Sequence, residues 1–199
     1  MLQEWTTAQA AFVLGEPLET LKREIDRGPI KARIVKVGGL RVRKFVLTDL
    51  VFLHVQRELK NDLTPKGRTE LYMALSKVPA SRTRQQVKFG DLKFEYGRHL
   101  KEVKSKLREL ESFAHEIDGS GSEVKIKGTS IEVFRISALL DGGMTVGDVL
   151  RDYPSLVERQ VRAAQAFAET NPKIGRPFPK TTAKAALRGS GLDALDTDD

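Results

Sequence analysis

A glycine pair and isolated prolines divide the carboxy-terminal third of the chain into segments too short for a long helix. This third contains Gly142-Gly143, and Pro154 and Pro172 lie on either side of its last apolar stretch. Glycine tolerates the positive φ that ends a helix, and proline cannot continue a helix. These glycines and prolines, together with Gly128, therefore predict a short hairpin followed by three short helices.

The apolar residues of this region fit the same interpretation. Val124 and Ile126 before Gly128, and Ile131 and Val133 after it, alternate with polar residues as in a hairpin. The first helix should then bury three residues and end at the glycine pair. These residues are Ile136, Leu139 and Leu140.

The second and third helices are expected to begin at side-chain caps. Thr145 with Asp148, and Ser155 with Glu158, both have the Ser/Thr-x-x-acid spacing of a capping box. Residues 123–172 carry 6 Lys/Arg against 7 Asp/Glu, so the unit lacks the basic surface that phosphate binding needs. We interpret it as a domain that docks on another protein. The alternative is that it is a DNA-binding domain, in addition to any at the amino terminus.

Three motifs follow one another here: Gly128-Thr129, then Gly142-Gly143-Met144-Thr145, then Tyr153-Pro154-Ser155-Leu156. In this order they resemble the small helical domain-of-unknown-function family that is common in VapB-type antitoxins. Such antitoxins are encoded beside PIN-domain RNase toxins. The resemblance implies an antitoxin whose partner is a nuclease of this class.

The whole composition indicates a globular protein with a polyanionic partner. The chain has 199 residues, with 34 Lys/Arg against 27 Asp/Glu and a net charge of +7. It has no cysteine, so disulfides, a thiol nucleophile and cysteine-bound zinc are excluded. The absence of a long apolar run and of a signal-like start predicts a cytoplasmic protein without a membrane partner.

Residues 1–60 have the pattern of a small helical domain with a basic hairpin. Thr6 with Gln9 predicts a capping box at the start of a first helix, and Pro17 begins a second. Strands 34–37 and 40–43 flank Gly38-Gly39, a two-residue hairpin turn. Thr48 should cap a helix that runs from Asp49 to about residue 59.

The predicted register of this hairpin places Lys36 opposite Arg41, and Arg43 lies on the same face. Cations directly opposite each other repel, so an isolated hairpin gains nothing from this arrangement, whereas one that lies on phosphates does. Residues 18–44 hold 9 Lys/Arg against 3 Asp/Glu, so the basic charge is on the second helix and the hairpin.

The order helix, turn, helix, hairpin, helix is that of a winged helix-turn-helix. Residues 5–11 together with 41–49 are similar to MerR-like DNA-binding domains. In such domains the second helix enters the major groove and the hairpin lies along the backbone. The resemblance thus implies base recognition by one set of residues and phosphate contact by another, the alternative being an ordinary solvated face. The two sets are Thr20, Lys22, Arg23 and Arg27, and Lys36, Arg41 and Arg43.

Residues 61–122 are expected to form a connector. A turn at 64–67 precedes a short helix, a second hairpin follows around Gly90-Asp91, and a helix should run from Arg98 to Ile117. Four apolar residues of that helix have heptad spacing, which is typical of a homodimer seam or of a helix packed on its own hairpin. They are Leu100, Val103, Leu107 and Leu110. Residues 118–122 should be a flexible linker.

The tail, residues 173–199, alternates apolar anchors with cations, a pattern that favours folding onto a partner over a simple disordered terminus. These residues are Arg176, Phe178, Lys180, Lys184, Leu187, Arg188, Leu192 and Leu195. A PIN-type active site holds carboxylates around a divalent metal, so a tail cation can take the metal's place. Arg176 is the first candidate, because prolines on either side of Phe178 stiffen the segment, and Arg188 is the second.

No pattern of catalysis or metal binding accompanies these motifs. His54, His99 and His115 are far apart and outside metal-ligand spacing, and the glycine pairs lack the residues of a phosphate-binding loop. We therefore expect no enzyme activity, no metal and no cofactor.

The sequence as a whole predicts a mostly α protein with short β-hairpins, of the α+β class. Its expected parts are a winged helix-turn-helix at 1–60, a helical connector at 61–122, a small helix-turn-helix-like domain at 123–172 and an extended tail at 173–199. The predicted function is that of a type II, VapBC-like antitoxin. It would bind operator DNA as an autorepressor and a PIN-domain toxin directly, as a homodimer or in a larger complex. The alternative is a free-standing MerR-like regulator whose carboxy-terminal domain senses a ligand.

Overall fold

The computed structural model describes residues 3–59, 61–78, 85–119, 123–172, 178–182 and 186. The chain divides into two compact units, Met1–Glu109 and Leu110–Asp199. Within the described ranges, helices alternate with short antiparallel strand pairs, so the predicted α+β class is confirmed. The segment predicted as a connector does not stand apart, because most of its elements belong to the first unit.

The first unit opens with the elements predicted from its amino-terminal sequence. In order, these elements are β1 (Trp5–Thr6), α1 (Thr7–Leu14), α2 (Leu18–Arg27), β2 (Arg33–Val37), β3 (Leu40–Phe45) and α3 (Leu47–Glu58). The three strands form an antiparallel sheet in the order β1-β3-β2. The helix, turn, helix, hairpin, helix order is therefore present.

Two local predictions for this unit are confirmed in detail. The Thr6 hydroxyl accepts a hydrogen bond from Gln9 N at 3.2 Å, and Gln9 Oε1 accepts one from Thr6 N at 2.8 Å, which completes the capping box. The β2–β3 hairpin pairs Lys36 with Arg41, as expected. Gly38 and Gly39 have φ of 56° and 83°, the left-handed conformation that a tight hairpin turn requires.

The predicted cap of α3 is wrong. The helix begins at Leu47, with Val46 as the flanking residue, and Thr48 lies inside the first turn. Since valine has no side-chain acceptor, the cap is the Asp49 carboxylate, which accepts a hydrogen bond from Val46 N at 2.9 Å. The chain passes from strand to helix without a loop because Phe45, at the end of β3, is fully buried.

The rest of the first unit packs on this framework. Its elements are α4 (Pro65–Ser76), β4 (Gln86–Phe89), β5 (Leu92–Glu95) and the first part of α5 (Gly97–Ala114). The residues predicted as a turn at 64–67 are the start of α4, and the Thr64 hydroxyl caps it by accepting from Gly67 N at 3.1 Å. The β4–β5 hairpin is confirmed, and its residues Val87 and Phe89 are buried.

The helix predicted to end at Ile117 stops at Ala114. Ile117 and Asp118 form β6 (Ile117–Asp118), which pairs antiparallel with β7 (Lys125–Ile126). Strand pairing takes Ile117 out of the heptad pattern and covers it beside the second core. The predicted linker therefore loses its first residue to a strand, and its residues 120–122 lie outside the described part of the chain.

The second unit contains the three predicted helices, α6 (Val133–Asp141), α7 (Val146–Asp152) and α8 (Glu158–Thr170). Their apolar faces share one core, as do two residues of the preceding strand region. The buried members are Val124, Ile126, Val133, Ile136, Leu139, Val149, Leu156, Val161 and Ala164. The hairpin expected around Gly128 is only partly formed. Ile126 N donates to Ile131 O at 2.9 Å, but Val133 already begins α6.

The two predicted caps of this unit have different outcomes. Thr145 with Asp148 is confirmed, because the Thr145 hydroxyl accepts from Asp148 N at 3.1 Å and the carboxylate accepts from Thr145 N at 3.1 Å. The prediction that Ser155 caps α8 is wrong. Burial of Leu156 keeps the chain extended to Val157, whose N–H donates to Gln160 Oε1 at 3.2 Å.

A histidine pair joins α3 to α5 inside the first unit. His54 Nδ1 lies 2.9 Å from His99 Nδ1, and His54 Nε2 lies 3.2 Å from Glu102 Oε2. Only one proton fits between the two Nδ1 atoms, so both rings cannot be doubly protonated while this bond exists. Burial lowers the pKa of both histidines, because the charged ring loses its water.

We expect the first unit to lose stability as the pH falls below about 6.5, the ordinary histidine value. The folded pKa values are lowered, so the unfolded chain binds more protons in this range. The loss is at most about 1.4 kcal/mol per pH unit for each histidine. Arg57 and Glu58 of α3, with Arg98 and Glu102 of α5, are the other charges around the pair.

Urea unfolding from pH 7.5 to 5.0 measures this loss. His54→Gln should flatten the profile, whereas His115→Gln, which is outside the pair, serves as the control. Equal slopes for the two variants would contradict a role for the pair.

Candidate nucleic-acid interface

Helix α2 buries one side and exposes the side predicted to read DNA. Leu21 and Ile25 are 0% and 5% exposed and anchor the helix in the unit. Thr20, Arg23 and Arg27 are spaced by three and four residues, so they share a face away from this core. The predicted recognition residues are therefore brought together, with Lys22 on the flank of the same helix.

A side chain of α3, Arg57, holds the turn between α1 and α2 in place. Arg57 Nε forms an ion pair with Glu16 Oε1 at 2.7 Å, and the same guanidinium donates to the backbone oxygen of Leu14. That oxygen is one of the last carbonyls of α1, which lack a partner within their own helix. Arg57 thus fixes the angle at which α2 leaves the turn.

The cationic face of α2 lines a cleft of about 260 Å³. Thr20, Arg23 and Arg27 form one side, and Gln56 of α3 and Arg68 of α4 contribute to the rest. Glu24 is the one carboxylate among the lining residues. Guanidinium groups around a hydroxyl favour an anion that accepts several hydrogen bonds, such as a backbone phosphate.

The β2–β3 hairpin presents cations and apolar side chains together. Lys36 and Arg41 are exposed and directly opposite each other. Three apolar residues of the hairpin are 49%, 56% and 60% exposed, the last two of them next to the turn; they are Ile34, Val37 and Leu40. Arg43 differs, because its Nη1 lies 2.6 Å from Asp26 Oδ1 and ties the hairpin to the end of α2.

The ion pairs leave a defined set of cations without an acidic partner. Lys22 is paired with Glu19 at 2.7 Å, and Arg43 with Asp26. Within the described ranges, four predicted DNA contacts take part in no ion pair, namely Arg23, Arg27, Lys36 and Arg41. Paired surface cations stay available to phosphates, since such pairs contribute only about 0 to 1 kcal/mol.

The predicted dimer seam on α5 is partly covered by the chain itself. Val103 is 1% exposed and Leu107 is 6% exposed in the single chain. Leu100 and Leu110 are half-buried. A second chain could reach only the latter two without rearrangement, so the seam stays a prediction, and packing within the chain accounts for Val103 and Leu107.

Most of the predicted toxin-binding residues lie outside the described residues: Arg176, Lys184, Leu187, Arg188, Leu192 and Leu195. Phe178 and Lys180 belong to the described segment 178–182, which packs on the second unit. Phe178 is half-buried there, and Lys180 is exposed.

Sequence reasoning missed Gln56 and Arg68 as neighbours of the candidate interface. Gln56 is a polar residue on the buried side of α3, and this was a detectable signal. Arg68 carries no local signal, because α4 reaches α2 only through tertiary packing. In the described part of the chain, no cluster of three or more His, Cys, Asp or Glu residues is arranged to hold a metal ion. None of the described helices combines the length and hydropathy of a membrane span.

Comparison with known proteins gives one match. Residues 120–168 match the profile of a family described as protein of unknown function (DUF433). This range begins two residues after the end of β6 and covers β7, α6, α7 and most of α8. No curated protein and no solved structure matches the chain.

The double variant Arg23→Ala/Arg41→Ala should weaken DNA binding and lower its salt dependence. Each lost phosphate contact removes about one unit of slope, so the slope of log affinity against log salt should fall by up to ~2. Gel shifts with operator DNA at several salt concentrations measure it. Lys101→Ala/Lys104→Ala removes the same charge from exposed positions of α5 and should leave the slope unchanged. If only the control lowered the slope, the contact would lie on α5.

Leu107→Asp tests whether this residue serves the chain's own core or a second chain. Because Leu107 is buried in the single chain, an unpaired carboxylate there should lower the free energy of unfolding by about 3 kcal/mol or more. Denaturant unfolding at several protein concentrations measures this loss. Ser105→Asp adds the same charge at an exposed position of α5 and should have little effect. A stable monomer from Leu107→Asp would instead support the seam between chains.

Proposed function

We propose that this chain is the antitoxin of a type II, VapBC-like toxin–antitoxin module. In this proposal the first unit binds operator DNA, and the second unit with the tail neutralises a PIN-domain RNase. The protein acts in the cytoplasm, without catalytic activity of its own, as a homodimer or in a larger complex with the toxin.

The combination of two features in one chain supports this proposal most. Residues 120–168 match a small domain family commonly found beside toxin–antitoxin genes. The other unit carries α2 and the basic hairpin on one framework. An antitoxin that represses its own operon needs both a DNA surface and a toxin surface.

The first unit supports the DNA half of the proposal through charge. Arg23 and Arg27 lie on the exposed face of α2, and Lys36 and Arg41 repel each other across the hairpin. A duplex offers phosphates on both sides of a groove, so it relieves this repulsion and binds the arginines. Phosphate contacts from the hairpin would position α2, and its side chains would then read the bases.

The charge balance supports a different partner for the second unit. Residues 123–172 are nearly neutral, with 6 Lys/Arg and 7 Asp/Glu, so a polyanion finds little attraction there. Residues 173–188 of the tail supply cations instead, with five Lys/Arg and no Asp/Glu ahead of the acidic end of the chain. A nuclease active site rich in carboxylates is a matching target, and Arg176 is the first candidate to enter it.

Truncation after Asn171 should separate the two activities. DNA binding should persist, because the first unit is unaltered, and toxin inhibition should be lost or sharply weakened. Arg176→Ala should have a milder effect of the same kind. Arg151→Ala removes an exposed arginine from the folded part of the second unit, where it pairs with Asp148, and should leave inhibition unchanged.

Growth rescue is measured with the product of the adjacent reading frame expressed as the toxin, and gel shifts report DNA binding. A truncated protein that still rescues growth would move inhibition onto the folded domain. If the unmodified chain did not rescue growth or bind the adjacent product, the antitoxin proposal would fail. The ligand-sensing regulator would then be the better interpretation.

A further inference from the structure

A short segment of the tail, which we call the strap (residues 178–182), lies along the second unit. Arg135 of α6 donates hydrogen bonds to the backbone oxygens of Pro179 and Thr181, both at 3.4 Å. The Thr182 hydroxyl donates to Asp152 Oδ2, at the end of α7, at 2.7 Å. The strap therefore bridges two helices of the folded unit.

A glycine at the end of α6 makes room for the strap. Gly142 has φ of −80°, which any residue can adopt, so its backbone conformation does not require glycine. A Cβ atom at this position would lie 2.0 Å from the backbone oxygen of Lys180 and 2.8 Å from its Cβ. Glycine is therefore required at this position because the strap packs closely against it, and not because the backbone turns there.

The strap is anchored by its backbone and by one side chain, and three of its other side chains are exposed. Thr182 is only 7% exposed, whereas Pro179, Lys180 and Thr181 are exposed. Phe178 is half-buried beside them. Two of the predicted toxin-binding residues, Phe178 and Lys180, are consequently presented from a backbone that is already held in place.

We infer that the strap, held against α6 and α7, forms a docking surface for a protein partner with acidic groups. The inference rests on the proposed function, in which that partner is the nuclease toxin. The partner meets Lys180 and Phe178 on an ordered segment, so association loses less backbone entropy than with an unattached tail. The folded domain therefore holds the inhibitory segment in a fixed position.

The variant Gly142→Ala tests the strap without changing any residue of the tail. The added Cβ should displace Lys180, because the backbone oxygen it meets cannot move aside within the strap. Gly147→Ala is the matched control, since its Cβ would find only Thr145 Oγ1, at an ordinary 3.7 Å. Thr182→Val is a second probe that keeps the shape of the side chain and removes the bond to Asp152.

Limited trypsin digestion of the full chain reports the strap directly. Cleavage after Lys180 needs an extended, detached backbone in the protease. We expect it to be about tenfold faster or more in Gly142→Ala, faster in Thr182→Val, and unchanged in Gly147→Ala. Equal cleavage rates in the unmodified chain and the three variants would contradict the packing of the strap on the second unit.

Calorimetric titration with the purified product of the adjacent reading frame tests the docking surface. Gly142→Ala and Thr182→Val should bind about tenfold more weakly than the unmodified chain, and Gly147→Ala should bind equally well. Binding by the unmodified chain with equal or tighter binding by both strap variants would overturn this inference alone. Absence of binding by the unmodified chain would overturn it together with the proposed function.

Discussion

One buried carboxylate organises the first unit. Asp49 is 6% exposed, and it accepts hydrogen bonds from Val46 N at 2.9 Å and from the Tyr72 hydroxyl at 2.8 Å. The first bond begins α3 directly after β3, and the second attaches α4 to α3. Burial raises the pKa of Asp49 despite these bonds, and burial next to this carboxylate raises the pKa of Tyr72 to about 12. Hydrogen bonds to a charged group contribute about 1.5 to 3 kcal/mol each, so removing either donor would lower the free energy of unfolding of the unit.

The position of α3 in turn decides where the candidate DNA surface lies. From its buried position α3 extends Arg57 to the turn between α1 and α2, and Gln56 to the cleft beside α2. Arg43 attaches the hairpin to α2 through Asp26. The cations proposed to contact phosphates are thus carried by elements whose relative positions are set by contacts within the unit. Such preorganisation is what a charged surface needs to match the fixed spacing of a duplex.

The second unit follows a different principle, in which the folded domain holds a segment that sequence alone marks as irregular. Its core is nearly all aliphatic, and its surface charge is balanced. Among the described residues, Arg135 and Asp152 bind the strap through hydrogen bonds, and Gly142 leaves room for it. The family match covers this domain, and the strap lies beyond the matched residues. Residues 178–182 of the tail therefore pack on the domain, although the two sequences have very different character.

The sequence by itself determined the elements whose causes are local. The Thr6–Gln9 and Thr145–Asp148 caps, the register of the β2–β3 hairpin and the end of α6 at Gly142-Gly143 all depend on residues a few positions apart. Propensity and spacing were sufficient there. The cations of α2 and the hairpin could also be found, because charge and periodicity are properties of the chain.

Tertiary packing decided the rest. Burial of Phe45 and Leu156 moved the starts of α3 and α8 away from Thr48 and Ser155, and pairing of Ile117 with Ile126 ended α5 before its heptad pattern stopped. Arg68 joined the cleft, and residues 178–182 joined the second unit, through contacts between segments distant in sequence. Local patterns cannot encode such contacts, because their free energy comes from surfaces that meet only after the chain has folded.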